Sequence, residues 1–191
     1  VMGKLNATSK IRILSGTVMS PSSKRVVQDF CAKFPGAKHI SYDPVSSAAL
    51  LQATEDCFGE RVVPEYRFDL AETIVSFNAD FLGTWISPIE YAAQYVSRRS
   101  INPENPSMSK HFQVESQMSL SGSNADNRIL VRPSEMGAAI AFLYNEIASK
   151  TGGTTSAGPA LNEKAKKALT VAAEALLANK GKSVIVSASN N

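Results

Sequence analysis

Apolar positions along this chain fall into short blocks, and their spacing switches between the two-residue period of strands and the 3.6-residue period of helices. Ile11-Arg12-Ile13-Leu14 is a first predicted strand, ended by Ser15-Gly16-Thr17, and Pro21-Ser22-Ser23 opens a helix to Phe34. Pro35-Gly36 stops that helix, His39 to Tyr42 is a second strand, and Asp43-Pro44 turns into a helix from about Ser46 to Phe58, closed by Gly59. After an irregular stretch over 60–72, Thr73-Ile74-Val75-Ser76-Phe77 has the β-branched and aromatic content of a buried strand. Ser87-Pro88 supplies an N-cap and first-turn proline for a helix with Ile89, Ala92, Ala93 and Val96 on one stripe.

Residues 100–109 carry two prolines among polar residues and are predicted to be irregular. Lys110 to Glu115 is a fourth strand and Arg128 to Arg132 a fifth, joined tightly through Ser119 to Asp126. Pro133-Ser134-Glu135 caps a helix directing Ala138, Phe142 and Ile147 inward, and residues 150–161 form a flexible connector by composition. Asn162 caps the clearest helix, on which Ala165, Ala168, Leu169, Ala172 and Leu176 recur at helical spacing. Gly181 then precedes a last strand at Ser183 to Val186. Strands that alternate with helices imply an α/β fold: a three-layer, Rossmann-like, mostly parallel sheet of about six strands with flanking helices, in one domain over residues 1–191. The last strand feeds nothing, and Asn190 would N-cap a further helix, so the sequence reads as an excised piece of a longer polypeptide.

Composition narrows the chemistry. With 43% hydrophobic and 19% charged positions, 191 residues suffice for a core without metal or disulfide staples. The net charge of +3 is dispersed, with no basic stripe to follow a nucleic-acid backbone. Two cysteines and two histidines cannot assemble an iron–sulfur cluster or a Cys-only zinc site. Cys31 and Cys57 fall on apolar helical stripes and are expected to be buried thiols. There is neither a long apolar run nor a signal-peptide pattern, so direct membrane insertion is not expected.

In an open α/β sheet, ligands sit at the carboxyl ends of the strands. The turns placed there are Ser15-Gly16-Thr17, the turn at Asp43, the stretch Asn78 to Trp85 with Asp80 and Gly83, and Gly122 to Asp126. The first turn has Gly16 alone where a dinucleotide fingerprint needs three glycines. Asp43 stands where a ribose-binding acid would, although an Asp-Pro turn explains it as well. Asp80 is either a cap for its own turn or a proton acceptor. Phe81 and Trp85 are either core plugs or a stacking pair for a quinone or partner. His111 has no Ser or Cys at motif spacing, which argues against a catalytic base.

Several of these pieces together resemble one family: Phe68-Asp69-Leu70-Ala71, the run Ala79-Asp80-Phe81-Leu82-Gly83-Thr84-Trp85-Ile86-Ser87-Pro88-Ile89-Glu90, Glu115 through Asp126, and Arg132-Pro133-Ser134-Glu135. They are similar to the molybdopterin-oxidoreductase-like part of the large iron–sulfur subunit of alternative complex III, a quinol-oxidising respiratory complex. The resemblance implies a cofactor-less structural and interaction module, with iron–sulfur clusters elsewhere in the parent chain. It also implies other subunits of a membrane-associated complex as partners, and the periplasmic face of the bacterial inner membrane as location. No residue is carried over as a metal ligand or catalytic group. Ser15, Gly16, Asp43, Asp80, Gly83, Trp85, Gly122 and Asp126 are then candidates for a vestigial crevice, and Asp43, Asp80 or Asp126 for remnants of a guanine contact. The alternatives are half of a working molybdopterin site or a nucleotide-binding Rossmann-like domain.

Overall fold

Proline and glycine set the element boundaries much as the sequence predicts. Pro21 and Pro88 lie in the first turns of their helices, and Gly59 and Gly152 follow helix ends with φ of 77°. The computed structural model describes residues 9–103 and 106–188. Asn190, the expected cap of a further helix, lies outside them. Among the described residues six strands form, all paired in parallel, and helices flank them, so the chain is α/β. They do not make one sheet: two belong to one sheet and four to another, within compact units 1–48 and 49–191.

The smaller unit holds β1 (Arg12–Ser15), α1 (Pro21–Lys33) and β2 (Lys38–Ser41), with β1 and β2 paired from Arg12↔Lys38 to Ser15↔Ser41. Ser20 caps α1 by accepting the Ser23 N–H at 3.3 Å. Neither strand buries a residue, because four-residue strands with a single helix leave most of their surface in water.

In the larger unit α2 (Ala48–Phe58) leads to β3 (Thr73–Phe77), α3 (Pro88–Arg99), β4 (Lys110–Glu115), the short α4 (Leu120–Ser123), β5 (Asn127–Leu130), α5 (Met136–Thr151), α6 (Glu163–Ala178) and β6 (Ser183–Ser187). Single turns of 3-10 helix precede β3 at Phe68–Leu70 and α5 at Pro133–Glu135. The strand order is β5-β4-β3-β6, with β3 fully buried between β4 and β6. Alternation along the strands separates two cores. Val75, Phe77, Phe112, Val114 and Ile129 face α5 and α6, whose Ala165, Leu169, Ala172 and Leu176 form the stripe expected of the last helix. Ile74 and Val186 face the opposite way, into an aromatic group of Phe68, Phe81, Tyr91 and Tyr95.

Three expectations change. On α3 the buried residues are Tyr91 and Tyr95, whereas Ile89 and Val96 are exposed, because the aromatic group offers the tyrosines closer partners than the aliphatic stripe finds. Cys57 is exposed and Cys31 half-buried, both as free thiols, since α2 buries only Thr54. The fifth strand stops at Leu130, two residues short of Arg132, as the proline at 133 starts the 3-10 turn. The connector of 150–161 is anchored at its middle: Asn145 Nδ2 donates to Ser156 O at 2.8 Å and its Oδ1 accepts the Ser156 N–H at 3.0 Å.

Candidate functional site

In the smaller unit the structure brings Ser15, Gly16 and Asp43 together. Asp43 accepts the Thr17 N–H at 2.9 Å and the Thr17 hydroxyl, and the hydroxyl bond, the larger effect, holds its carboxyl below the usual range. Gly16 lies under that carboxylate, so an added Cβ would stand 3.2 Å from Asp43 Oδ1. Ser15 Oγ donates to Gly16 O at 2.7 Å, so at His39 Nε2, 2.8 Å away, it must be the acceptor. Asp43 thus closes its own turn and leaves no carboxylate oxygen free of Thr17.

The larger unit concentrates its chemistry at the carboxyl end of β3 and β4. Asn78 leaves β3 with φ of 54°, its N–H donating to Val114 O at 2.7 Å, a left-handed step that Asn tolerates. That step turns the loop so that Asp80 O collects the N–H groups of Gly83, Thr84 and Trp85. The Asp80 carboxylate reaches α4, where Oδ1 accepts the Ser121 N–H and hydroxyl, each at 2.9 Å. Ser121 Oγ in turn accepts the Leu82 N–H at 2.9 Å. A Cβ at Gly83 would fall 2.2 Å from Asp80 Oδ2, so a side chain there would displace the carboxylate that holds Ser121.

Gly122 has the same relation to a second carboxylate. Glu115, 1% exposed at the end of β4, accepts the Ser119 hydroxyl at 2.6 Å and the Arg128 Nε–H at 2.5 Å. A Cβ on Gly122 would fall 2.0 Å from its Oε1. Ser119 Oγ also accepts the Gly122 N–H at 2.9 Å and caps α4. The small loop is therefore folded around an internal ion pair.

Phe81 is fully buried and stacks on Phe68 with ring centroids 4.4 Å apart, so it is a core plug. Trp85 is only half-buried, 5.2 Å from the Tyr66 ring at the rim of the same group. Asp126 is not at this edge. It lies at the amino end of β4 and β5, accepting the His111 N–H at 2.7 Å and pairing with Arg99 at 2.7 Å. The connection from 116 to 126 must run back along β4 to start a parallel β5, which carries its last residue to the opposite edge. The true loop after β5 is Val131-Arg132-Pro133. There Ser116, Leu130, Arg132, Glu135 and Asn162 line an open cavity of about 490 Å³.

One buried polar row was legible only as alternation in Lys110 to Glu115: His111, Gln113 and Glu115 share a face and are all essentially inaccessible. Gln113 Nε2 donates to Ala79 O at 3.4 Å, which turns its Oε1 to His111 Nε2 at 3.1 Å. His111 Nε2 must then carry the proton. Its Nδ1, 3.2 Å from the Tyr95 hydroxyl, competes for that one hydrogen with Asn124 O at 3.0 Å. Burial pushes His111 down to about 4 and Tyr95 up to about 12. Burial alone would raise Asp126, but the Arg99 guanidinium and the His111 N–H outweigh it and hold the carboxyl low.

Among the described residues no three His, Cys, Asp or Glu side chains are grouped to hold a metal ion, and no helix is long and apolar enough to cross a membrane. No protein-family model matches this chain, and no curated protein matches it.

Proposed function

We propose that the larger unit is a structural and interaction module, a molybdopterin-oxidoreductase-like domain whose crevice is occupied by its own side chains. In this reading it belongs to the iron–sulfur electron-transfer subunit of a quinol-oxidising respiratory complex of the alternative complex III kind, on the periplasmic face of the bacterial inner membrane. Its partners there are other subunits of that complex, and the clusters lie in another segment of the parent chain. The observation that carries the reading is the pair of glycine–carboxylate contacts. Where a phosphate-binding loop keeps glycines so that a ligand approaches the backbone, Gly83 and Gly122 are kept clear by Asp80 and Glu115. Both carboxylates are already engaged, by Ser121 and by Arg128 with Ser119, and both would repel a pyrophosphate.

A second reading, a nucleotide-binding Rossmann-like domain or half of a working molybdopterin site, draws on one observation. The exposed Arg132 beside Asn162, at the start of α6, puts a cation and a helix N-terminus on the cavity after β5. Glu135 on the same cavity works against an anion. Titration calorimetry with guanosine nucleotides and with pterin dinucleotide separates the two. No saturable heat at tens of micromolar protein is expected, and a dissociation constant near 1 μM, about −8 kcal/mol, would establish a live site instead.

A further inference from the structure

β6 is an outer strand of the four-stranded sheet and pairs with β3. The Ala188 N–H donates to Phe77 O and Lys182 O accepts the Glu72 N–H. Even-numbered residues of β6 therefore turn their backbone groups to β3, and Ser183, Ile185 and Ser187 turn theirs outward. Ser187 is already engaged within its chain, so the open part of the edge is centred on Ile185. Monomeric proteins protect such edges with charge, proline, a bulge or a covering element. Ser183-Val184-Ile185-Val186-Ser187 has no charged residue and no proline, and Ile185 is 49% exposed. Beside it an apolar cavity of about 360 Å³ opens between α5 and the sheet, lined by Phe77, Ile140, Leu143, Tyr144 and Ile147. The opposite outer strand, β5, carries the charged Arg128.

We propose that β6 is a docking edge for a second copy of this chain, paired antiparallel about a two-fold axis at Ile185. The strand is a palindrome, Ser-Val-Ile-Val-Ser, which is the self-complementarity that an isologous contact needs and that a different partner would not require. With the axis at Ile185, each copy's outward N–H and C=O meet those of the other as a hydrogen-bonded pair. Both Ile185 side chains emerge on the α5 face, so each copy's cavity and half-exposed Tyr144 flank the seam. Charge favours the same alignment. Lys182 of one copy comes opposite Ala188 of the other, which keeps the two lysines about 20 Å apart, from a rise of about 3.4 Å per residue. That distance exceeds the screening length of about 8 Å at physiological salt. The two four-stranded sheets then form one continuous sheet of eight strands, whatever the crevice at the carboxyl ends binds.

Sedimentation equilibrium of the wild-type chain across micromolar to submillimolar concentration is expected to show a monomer–dimer equilibrium. Ile185→Lys and Ile185→Asp should each be monomeric, and an equimolar mixture of the two should recover the dimer, because the position faces itself across the axis. In the unmodified chain, amide exchange at Ile185 should slow as concentration rises. A monomeric wild type, a dimer that either single variant retains, a mixture that stays monomeric, or Ile185 exchange independent of concentration would each overturn the proposal.

Discussion

The Asp80 carboxylate holds Ser121 twice, through its backbone N–H and its hydroxyl, and thereby ties the loop after β3 to the short helix after β4. Hydrogen bonds to a charged acceptor in a part-buried setting contribute about 1.5–3 kcal/mol. Asp80→Ala is therefore expected to lower unfolding free energy by about 2 kcal/mol in urea melts. Ser121→Ala should lose less, because its N–H remains. A double-mutant cycle should give a coupling near 1 kcal/mol, and additivity within about 0.3 kcal/mol would mean the pair is not a unit.

Gly122 and Gly137 make opposite forecasts for one substitution. Gly122→Ala forces a methyl group onto the buried Glu115 carboxylate, and overpacking of this kind costs about 1–3 kcal/mol. Gly137, near the start of α5, has nothing within 4 Å of its absent Cβ, so Gly137→Ala should stabilise by about 0.5–1 kcal/mol. Thermal melts of the two variants should move in opposite directions. A stabilised Gly122→Ala would place the Glu115–Arg128 pair elsewhere.

Phe81 and Trp85 part company in burial, so they should part company in energy. Phe81→Ala removes a fully buried ring stacked on Phe68 and should cost about 3–5 kcal/mol. Trp85→Ala, at the rim, is expected to cost about half as much, since only part of its ring area is withdrawn from water. Equal losses in denaturant melts would put Trp85 in the core.

His111 should make stability fall in mild acid. Its folded value, about 4, lies below the ordinary 6.5, so the unfolded chain binds the extra proton between those pH values and stability rises with pH across that window. The contribution is complete above about 6.5, is lost as pH falls towards 4, and amounts to roughly 3 kcal/mol. His111→Gln should flatten the difference between urea melts at pH 4.5 and pH 7. An unchanged pH dependence in the variant would assign the acid sensitivity to carboxylates such as Asp126, whose low folded value also costs stability as pH falls.

Much of the architecture was legible because its signals are local. Asn162 and Pro88 mark helix starts, β-branched runs mark strands, and the stripe on α6 lies where its spacing predicts. What escaped depends on which surface an element finds. The tyrosines of α3 and the aliphatic residues beside them are equally good helix faces by period, and only the presence of Phe68 and Phe81 decides between them. The division of six strands into sheets of two and four leaves no trace in local pattern, since a parallel strand reads alike in either. At the candidate site, Asp80 was legible as the acid of the strand-end loop, but its partner Ser121 lies 41 positions away. Asp126 was misplaced because a strand-to-strand connection gives no sign in sequence of which residue has already returned to the far edge.

The pairing of β3 with β6 sets a timetable for the nascent chain. Phe77 and Ser187 are partners across more than a hundred positions, and β6, the last described strand in chain order, lies against the inner strand β3. At about 5–20 residues per second, β3 waits roughly 5–20 s after its own appearance before β6 can pair with it. Throughout that interval one side of the most buried strand is open, along with the part of the aromatic group that Val184 and Val186 later cover. The first fragment able to hold together is thus β3, β4 and β5 with α3 to α6. The step most exposed to chaperones and to misassociation is the arrival of the five uncharged residues of β6.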